Sequence, residues 1–221
     1  MQQISAACLR LLTGLRAEWQ GCLPSVEPRV YFANHTSHLD APAIWASLPS
    51  ICRATTRPVA AQDYWTAGPF RRFIASRVMN AILIDRKLPT ARNNPVTFIR
   101  QAIEEGASVI VFPEGTRSPD GQIQEFKSGL YHLARDLPHV EFIPVYLENL
   151  NRILPKGEFI PLPIIARATF GAPLGWIESE GRHDFLNRAR QSIIALMQQT
   201  LIEPMESAPL HPAETFANEL A

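Results

Sequence analysis

Residues 34–40 read Asn-His-Thr-Ser-His-Leu-Asp, directly after the apolar run Val30–Ala33. His35 and Asp40 stand five residues apart, a spacing that lets a carboxylate fold back onto one imidazole nitrogen. The other nitrogen is then an acceptor in the tautomer a general base needs. A His near its neutral range can take a proton from an alcohol in this way. The same residues admit two other readings. His35, His38 and Asp40 form a two-histidine, one-carboxylate set of the kind that leaves metal positions open, although the two histidines span a turn and no second cluster follows. Ordinary turn chemistry would also place His and Asp here. His132, His139, His183 and His211 each stand alone.

A second polar stretch, Phe-Pro-Glu-Gly-Thr-Arg-Ser, covers residues 112–118 after another apolar run. Gly115 permits close approach of backbone to a ligand, and Arg117 carries the planar fork that suits phosphate. Glu114 can pair with a cation or accept from a substrate hydroxyl, and Thr116 and Ser118 add short hydrogen-bonding groups. Lys127, in Phe-Lys-Ser-Gly, brings a further cation, as does Arg86 after the short apolar stretch 81–84. Other chemistries lack their motifs. There is no G-x-S-x-G elbow and no glycine-rich nucleotide loop. Cys8, Cys22 and Cys52 form no C-x-x-C pair, so a disulfide framework or zinc knuckle is not expected and a reducing compartment fits.

These stretches need elements to hold them. Apolar residues at helical spacing over 4–19 predict an amphipathic N-terminal helix, packed on the domain or lying in a membrane interface. Strands are predicted at 29–33, 57–61, 81–84, 108–112, 141–147 and 164–170. Helices are predicted at 40–48, 63–78, 91–105, 126–136 and 185–202. The alternation, with several strands apolar along their whole length, predicts a single α/β domain with a mostly parallel sheet covered by helices. Such sheets carry function just past the carboxyl ends of their strands, and the stretches at 34–40, 85–87 and 113–118 share that position. The predicted organisation is a helix at 1–22, a domain at 23–203 and a loose tail at 204–221.

Twenty-one Lys and Arg balance twenty-one Asp and Glu, so no global charge draws the protein to nucleic acid and an electrostatic partner must meet a local patch. The first residues lack the basic and apolar regions of a signal peptide, and no long apolar run predicts a transmembrane helix. The aromatic and basic stretch Asp63–Phe73 is, with residues 4–19, a candidate membrane-facing surface.

The blocks Asn34–Asp40, Ala81–Lys87, Phe112–Ser118 with Phe126–Gly129, and Ile143–Val145 occur in the order and spacing of a known pattern. Together, over about residues 28–175, the chain resembles the glycerolipid acyltransferase family, typified by 1-acylglycerol-3-phosphate acyltransferases. Asn80 stands where that family's second block begins with glycine, and Asn is the residue that best tolerates the positive φ of such a turn. The resemblance implies that His35 deprotonates an acceptor hydroxyl and that Asp40 orients it. It implies that Arg86, Glu114, Gly115 and Arg117 shape the acceptor site, with the arginines on its phosphate. Thr116 and Lys127 join that site, and Arg152 and Lys156 are further candidates for an anionic headgroup. His38 falls at an unspecified position of the pattern and is expected to be replaceable. The implied partners are a lysophospholipid acceptor, acyl-CoA or acyl-carrier protein as donor substrate, and a membrane surface. No cofactor or metal is implied, and the expected location is peripheral, on the cytoplasmic face of a membrane. Acylation of another acceptor, a metal-dependent hydrolase and a non-catalytic lipid-binding module are the rival readings.

Overall fold

Strands and helices alternate along almost the whole chain. The computed structural model describes residues 2–85, 94–153 and 165–202. The strands are β1 (Arg16–Trp19), β2 (Arg29–Ala33), β3 (Thr56–Ala61), β4 (Ile82–Ile84), β5 (Ser108–Val111), β6 (Glu141–Glu148) and β7 (Arg167–Phe170). The helices are α1 (Gln2–Thr13), α2 (Asp40–Ser47), α3 (Ser50–Thr55), α4 (Gln62–Trp65), α5 (Pro69–Phe73), α6 (Pro95–Glu104), α7 (Gly129–Asp136), α8 (Leu150–Ile153) and α9 (Arg182–Ile202). A π turn, Ile74–Val78, continues from α5.

The strands form one sheet in the order β1-β7-β6-β2-β5-β3-β4. From β6 to β4 all neighbours are parallel. β7 runs antiparallel to β6, and β1 runs parallel to β7. The central strands β2 and β5 are buried at every residue, as a sheet covered on both faces requires. Their side chains alternate between two cores. Tyr31, Ala33 and Ile110 pack with Ala6, Ile44 and Trp45 from α1 and α2. Val30, Phe32, Val109 and Val111 pack with Ile99, Leu130, Phe185 and Ile193 from α6, α7 and α9.

The N-terminal helix is shorter than its apolar spacing predicts. Gly14 follows α1 at φ +56°, and the Leu15 N–H returns to the Arg10 carbonyl at 3.1 Å. This is the left-handed stop that glycine favours. Residues 16–19, predicted as the last helical turn, are instead edge strand β1, with Trp19 stacked on Phe170 at 4.0 Å. One side of α1 docks on α2, where the Arg10 Nε donates to the Ala46 carbonyl at 2.7 Å. The other side leaves Ile4, Leu11 and Leu12 exposed, Leu11 to 85%. The predicted helix 63–78 is likewise divided. Gly68 is extended and Pro69 opens α5, because proline is favoured at a first helical position but breaks an interior. The short helix α3 was not expected from the sequence. Asn80 ends this segment at φ +47°, the left-handed turn expected of it, and its carbonyl accepts from the Arg57 Nε at 3.0 Å.

Candidate active site

Because β2, β3, β4 and β5 are parallel, their carboxyl ends lie along one edge of the sheet. Residues 34–40 leave β2 there, and residues 112–118 leave its neighbour β5. The exit from β2 is pinned first. The Asn34 amide donates to the Leu147 carbonyl at 3.0 Å and accepts from the Leu147 N–H at 2.8 Å. That completes the backbone pairing to β6 where β2 itself ends.

The chain then turns so that Asp40, the first residue of α2, faces back on the loop. One oxygen, Oδ2, accepts from the Thr36 N–H at 2.6 Å and the Ser37 N–H at 2.8 Å, and lies 2.8 Å from the His35 Nδ1. Asp40 is wholly buried and sits at a helix start, where a negative charge is favoured. A carboxylate can only accept, so Nδ1 carries the imidazole proton and Nε2 keeps its lone pair. The His35 ring is held flat against Phe112, 4.2 Å between centroids.

The loop after β5 holds the same histidine from behind. Glu114, 4% exposed, accepts from the His35 N–H through Oε1 at 2.9 Å. The Ser118 N–H donates to the His35 carbonyl at 2.8 Å. Burial pushes the Glu114 carboxyl up, opposed by the backbone N–H groups of His35 and Gln124. Gly115 lies at φ +76°, and a Cβ there would come within 2.6 Å of the Lys127 Nζ. Lys127 therefore passes over a position that only glycine leaves open.

A cavity of about 610 Å³ opens against these loops. Its polar lining includes His35, His38, Asp63, Thr116, Arg117 and Lys127, and its apolar lining Val59, Ile84, Val96, Ile99, Leu130 and Leu133. Of the residues singled out from the sequence, His35, Gly115, Thr116, Arg117 and Lys127 meet on this wall. Asp40 and Glu114 lie behind it. Arg86 and Lys156 lie outside the described residues. Arg152, in α8, is exposed and donates to the Asn149 side chain at 3.3 Å, away from the cavity.

His38 is more engaged than a spacer position suggests. Its ring lies parallel on Tyr64, centroids 3.9 Å apart, and the Arg71 guanidinium sits 4.4 Å from the same ring. Two planar groups cannot share one face at those distances, so Tyr64 is sandwiched between them. Burial, then Arg117, His35 and Arg71, lowers the His38 pKa to about 4, leaving a neutral imidazole on the cavity wall. No group of three or more His, Cys, Asp or Glu among the described residues is placed to hold a metal ion. The stacking partner of His38 is a tyrosine four elements of chain away, a contact no local spacing announces.

The comparisons with known proteins follow the same blocks. The Acyltransferase family model matches residues 17–148. The chain is 31% identical over 152 residues to the mouse 1-acyl-sn-glycerol-3-phosphate acyltransferase alpha, covering 67% of this chain and 51% of that one. It is 32% identical over 165 residues to the 1-acyl-sn-glycerol-3-phosphate acyltransferase of Limnanthes alba, covering 71% and 54%. The chain thus spans about half the length of the curated relatives it matches. The fold matches the crystal structure of the 1-acyl-sn-glycerophosphate acyltransferase PlsC from Thermotoga maritima with a TM-score of 0.71 at 19% identity, over 93% of this chain and 80% of that one.

Proposed function

The chain belongs to the acyltransferase family, and from that premise we propose that it transfers a fatty acyl group from a thioester to the free hydroxyl of a lysophospholipid. The acceptor we assign is 1-acylglycerol 3-phosphate, giving phosphatidate, in keeping with the names of the relatives. The observation that carries this reading is the His35–Asp40 pair, 2.8 Å apart, with His35 on the wall of a cavity that also presents Arg117, Lys127 and several apolar side chains.

In this mechanism the acceptor hydroxyl hydrogen-bonds to the His35 Nε2. The oxygen attacks the thioester carbonyl carbon as its proton passes to Nε2, and Asp40 stabilises the imidazolium through Nδ1. The tetrahedral adduct expels the thiolate, and the imidazolium returns the proton to sulfur. An ester and a free thiol result, with no acyl-enzyme. Such a base contributes about 10²–10⁴-fold. Arg117 and Lys127 stand on the cavity wall where they can hold the acceptor phosphate, and positioning by such a clamp supplies further acceleration. By resemblance Arg86 joins them. Thr116 offers a hydroxyl beside the clamp, and the apolar part of the cavity suits an acyl chain.

Lipid substrates require access to a bilayer. No helix among the described residues is long and apolar enough to cross a membrane. We assign a peripheral attachment on the cytoplasmic face. Its candidate contacts are Ile4, Leu11 and Leu12 of α1, and Phe70, Phe73, Arg71 and Arg72 of α5, Phe70 being 75% exposed. Apolar side chains interleaved with arginines suit an anionic interface.

The test is a thiol-release assay with acyl-CoA and acyl-carrier-protein donors against a panel of lyso-acceptors. Turnover should be highest with lysophosphatidate and should vanish in His35→Ala. Full turnover in that variant sinks the base assignment. Release with a different acceptor alone reassigns the headgroup, and lipid binding without release from any donor favours the non-catalytic module. Activity surviving a chelator counts against the metal hydrolase.

A further inference from the structure

We infer that Glu114 is a positioning residue for His35, fixing the backbone of the base from behind the site, and that it makes no contact with the acceptor. The inference rests on the reading of His35 as the general base and departs from the family resemblance, which would put Glu114 in the acceptor site.

Direction is the first observation. Pro113, Gly115, Thr116 and Arg117 all line the cavity, and Glu114 alone among these five consecutive residues does not. Its side chain turns inward to 4% exposure and ends on the His35 N–H. The second observation is completeness. His35 has two backbone polar groups, and the loop after β5 takes both: Glu114 Oε1 the N–H, and the Ser118 N–H the carbonyl. The ring is fixed separately, by Asp40 at Nδ1 and by Phe112 against its face. Ring and main chain are therefore both held, and Glu114 supplies the side-chain contact, across 79 residues, that ties the His35 N–H to the neighbouring strand's loop.

Charge is the third. A neutral amide could accept the same N–H, and burying a carboxylate is costly unless it is paired. Glu114 Oε2 has no hydrogen-bond partner among the described residues. Burial pushes its carboxyl up, so the position calls for the accepting oxygen rather than for the charge.

The experiment compares E114A and E114Q with wild type and His35→Ala in steady-state thiol release, varying lysophosphatidate. Misplacing a reacting group by about 1 Å can cost about 10²-fold. E114A should therefore lose about 10²-fold in kcat with the acceptor KM unchanged. E114Q keeps the acceptor oxygen and should recover to within about tenfold of wild type in kcat. A tenfold or larger rise in acceptor KM with kcat preserved, in either variant, places Glu114 on the acceptor and overturns the inference. So does an E114A enzyme with wild-type kcat. Should E114A fail to fold, E114Q decides: a tenfold or larger rise in acceptor KM with kcat preserved refutes the positioning role, and kcat and KM both within about tenfold of wild type support it. Retained turnover in His35→Ala would remove the base itself, an outcome separate from any effect at Glu114.

Discussion

Asp40→Asn isolates charge from geometry. In the native site one oxygen of Asp40 serves three donors, the Thr36 N–H, the Ser37 N–H and the His35 Nδ1–H. An asparagine with its carbonyl in that place still accepts all three, because turning the amide around would set its NH₂ against two backbone N–H groups. The variant should therefore keep its fold and its histidine tautomer and lose the carboxylate charge alone. The His35 side chain is 15% exposed and that of Asp40 not at all, so solvent screens the pair weakly. At 2.8 Å and an effective dielectric of about 20, the attraction between imidazolium and carboxylate is about 6 kcal/mol. With the proton about half transferred at the transition state, about 3 kcal/mol of it is expressed, or about two orders of magnitude in rate. Thiol release under saturating donor and acceptor should show kcat lower by about 10²-fold with both KM values unchanged. Circular dichroism and a melting curve establish that the variant is folded. A loss below about threefold, or one confined to KM, would refute the electrostatic role of the Asp40 carboxylate. Asp40→Ala differs in kind, because it also orphans the Thr36 and Ser37 N–H groups at about 1–3 kcal/mol each. It should lower the melting temperature where Asp40→Asn does not.

Gly115→Ala sets a Cβ within 2.6 Å of the Lys127 Nζ at a φ of +76°. It should destabilise by roughly 1–2 kcal/mol and, by displacing Lys127, raise the KM for the anionic acceptor more than it lowers kcat. At Asn80, φ +47°, Gly should be tolerated to within about 0.5 kcal/mol and Val should cost about 1–2 kcal/mol in a denaturant titration. His38 has its folded pKa lowered from 6.5 to about 4, so the unfolded chain binds more protons between those values. Stability is then full above pH 6.5 and falls as the pH drops toward 4, and His38→Phe, which keeps a ring on Tyr64, should flatten that part of a melting-temperature profile. Flotation with anionic liposomes should weaken in Phe70→Ser/Phe73→Ser and in Leu11→Ser/Leu12→Ser. These substitutions leave β1 in place, and unaltered flotation in both would remove the proposed membrane contacts.

The position of the candidate site was legible because a parallel sheet leaves its loops few places to go. Fully apolar runs marked β2 and β5, and the polar stretches that follow them meet at one edge. The extent of α1 was misread for a definite reason. Leu15 and Trp19 continue the four-residue spacing of Leu11, and a four-residue strand has too few positions to show its own period. Gly14 carried the correct signal, as a helix stop. Pro69 did the same for the segment 63–78. At the site, His35 and Asp40 were legible as a pair because their contact is local. Two contacts were not, because they join distant residues: His38 on Tyr64, and Glu114 on the backbone of His35. Residue type gave Glu114 a carboxylate but could not say which way it points, and only the paired strands β2 and β5 bring His35 within its reach.

The bonds that assemble this site span long stretches of chain, 79 residues between His35 and Glu114 and 113 between Asn34 and Leu147. Closing loops of that length costs entropy before any contact returns it, which slows parallel sheets to form. The loop that carries His35 takes these bonds only once β2, β5 and β6 have aligned. Refolding should therefore show helical signal recovering ahead of enzymatic activity, with turnover serving as a clock for the last long-range pairing.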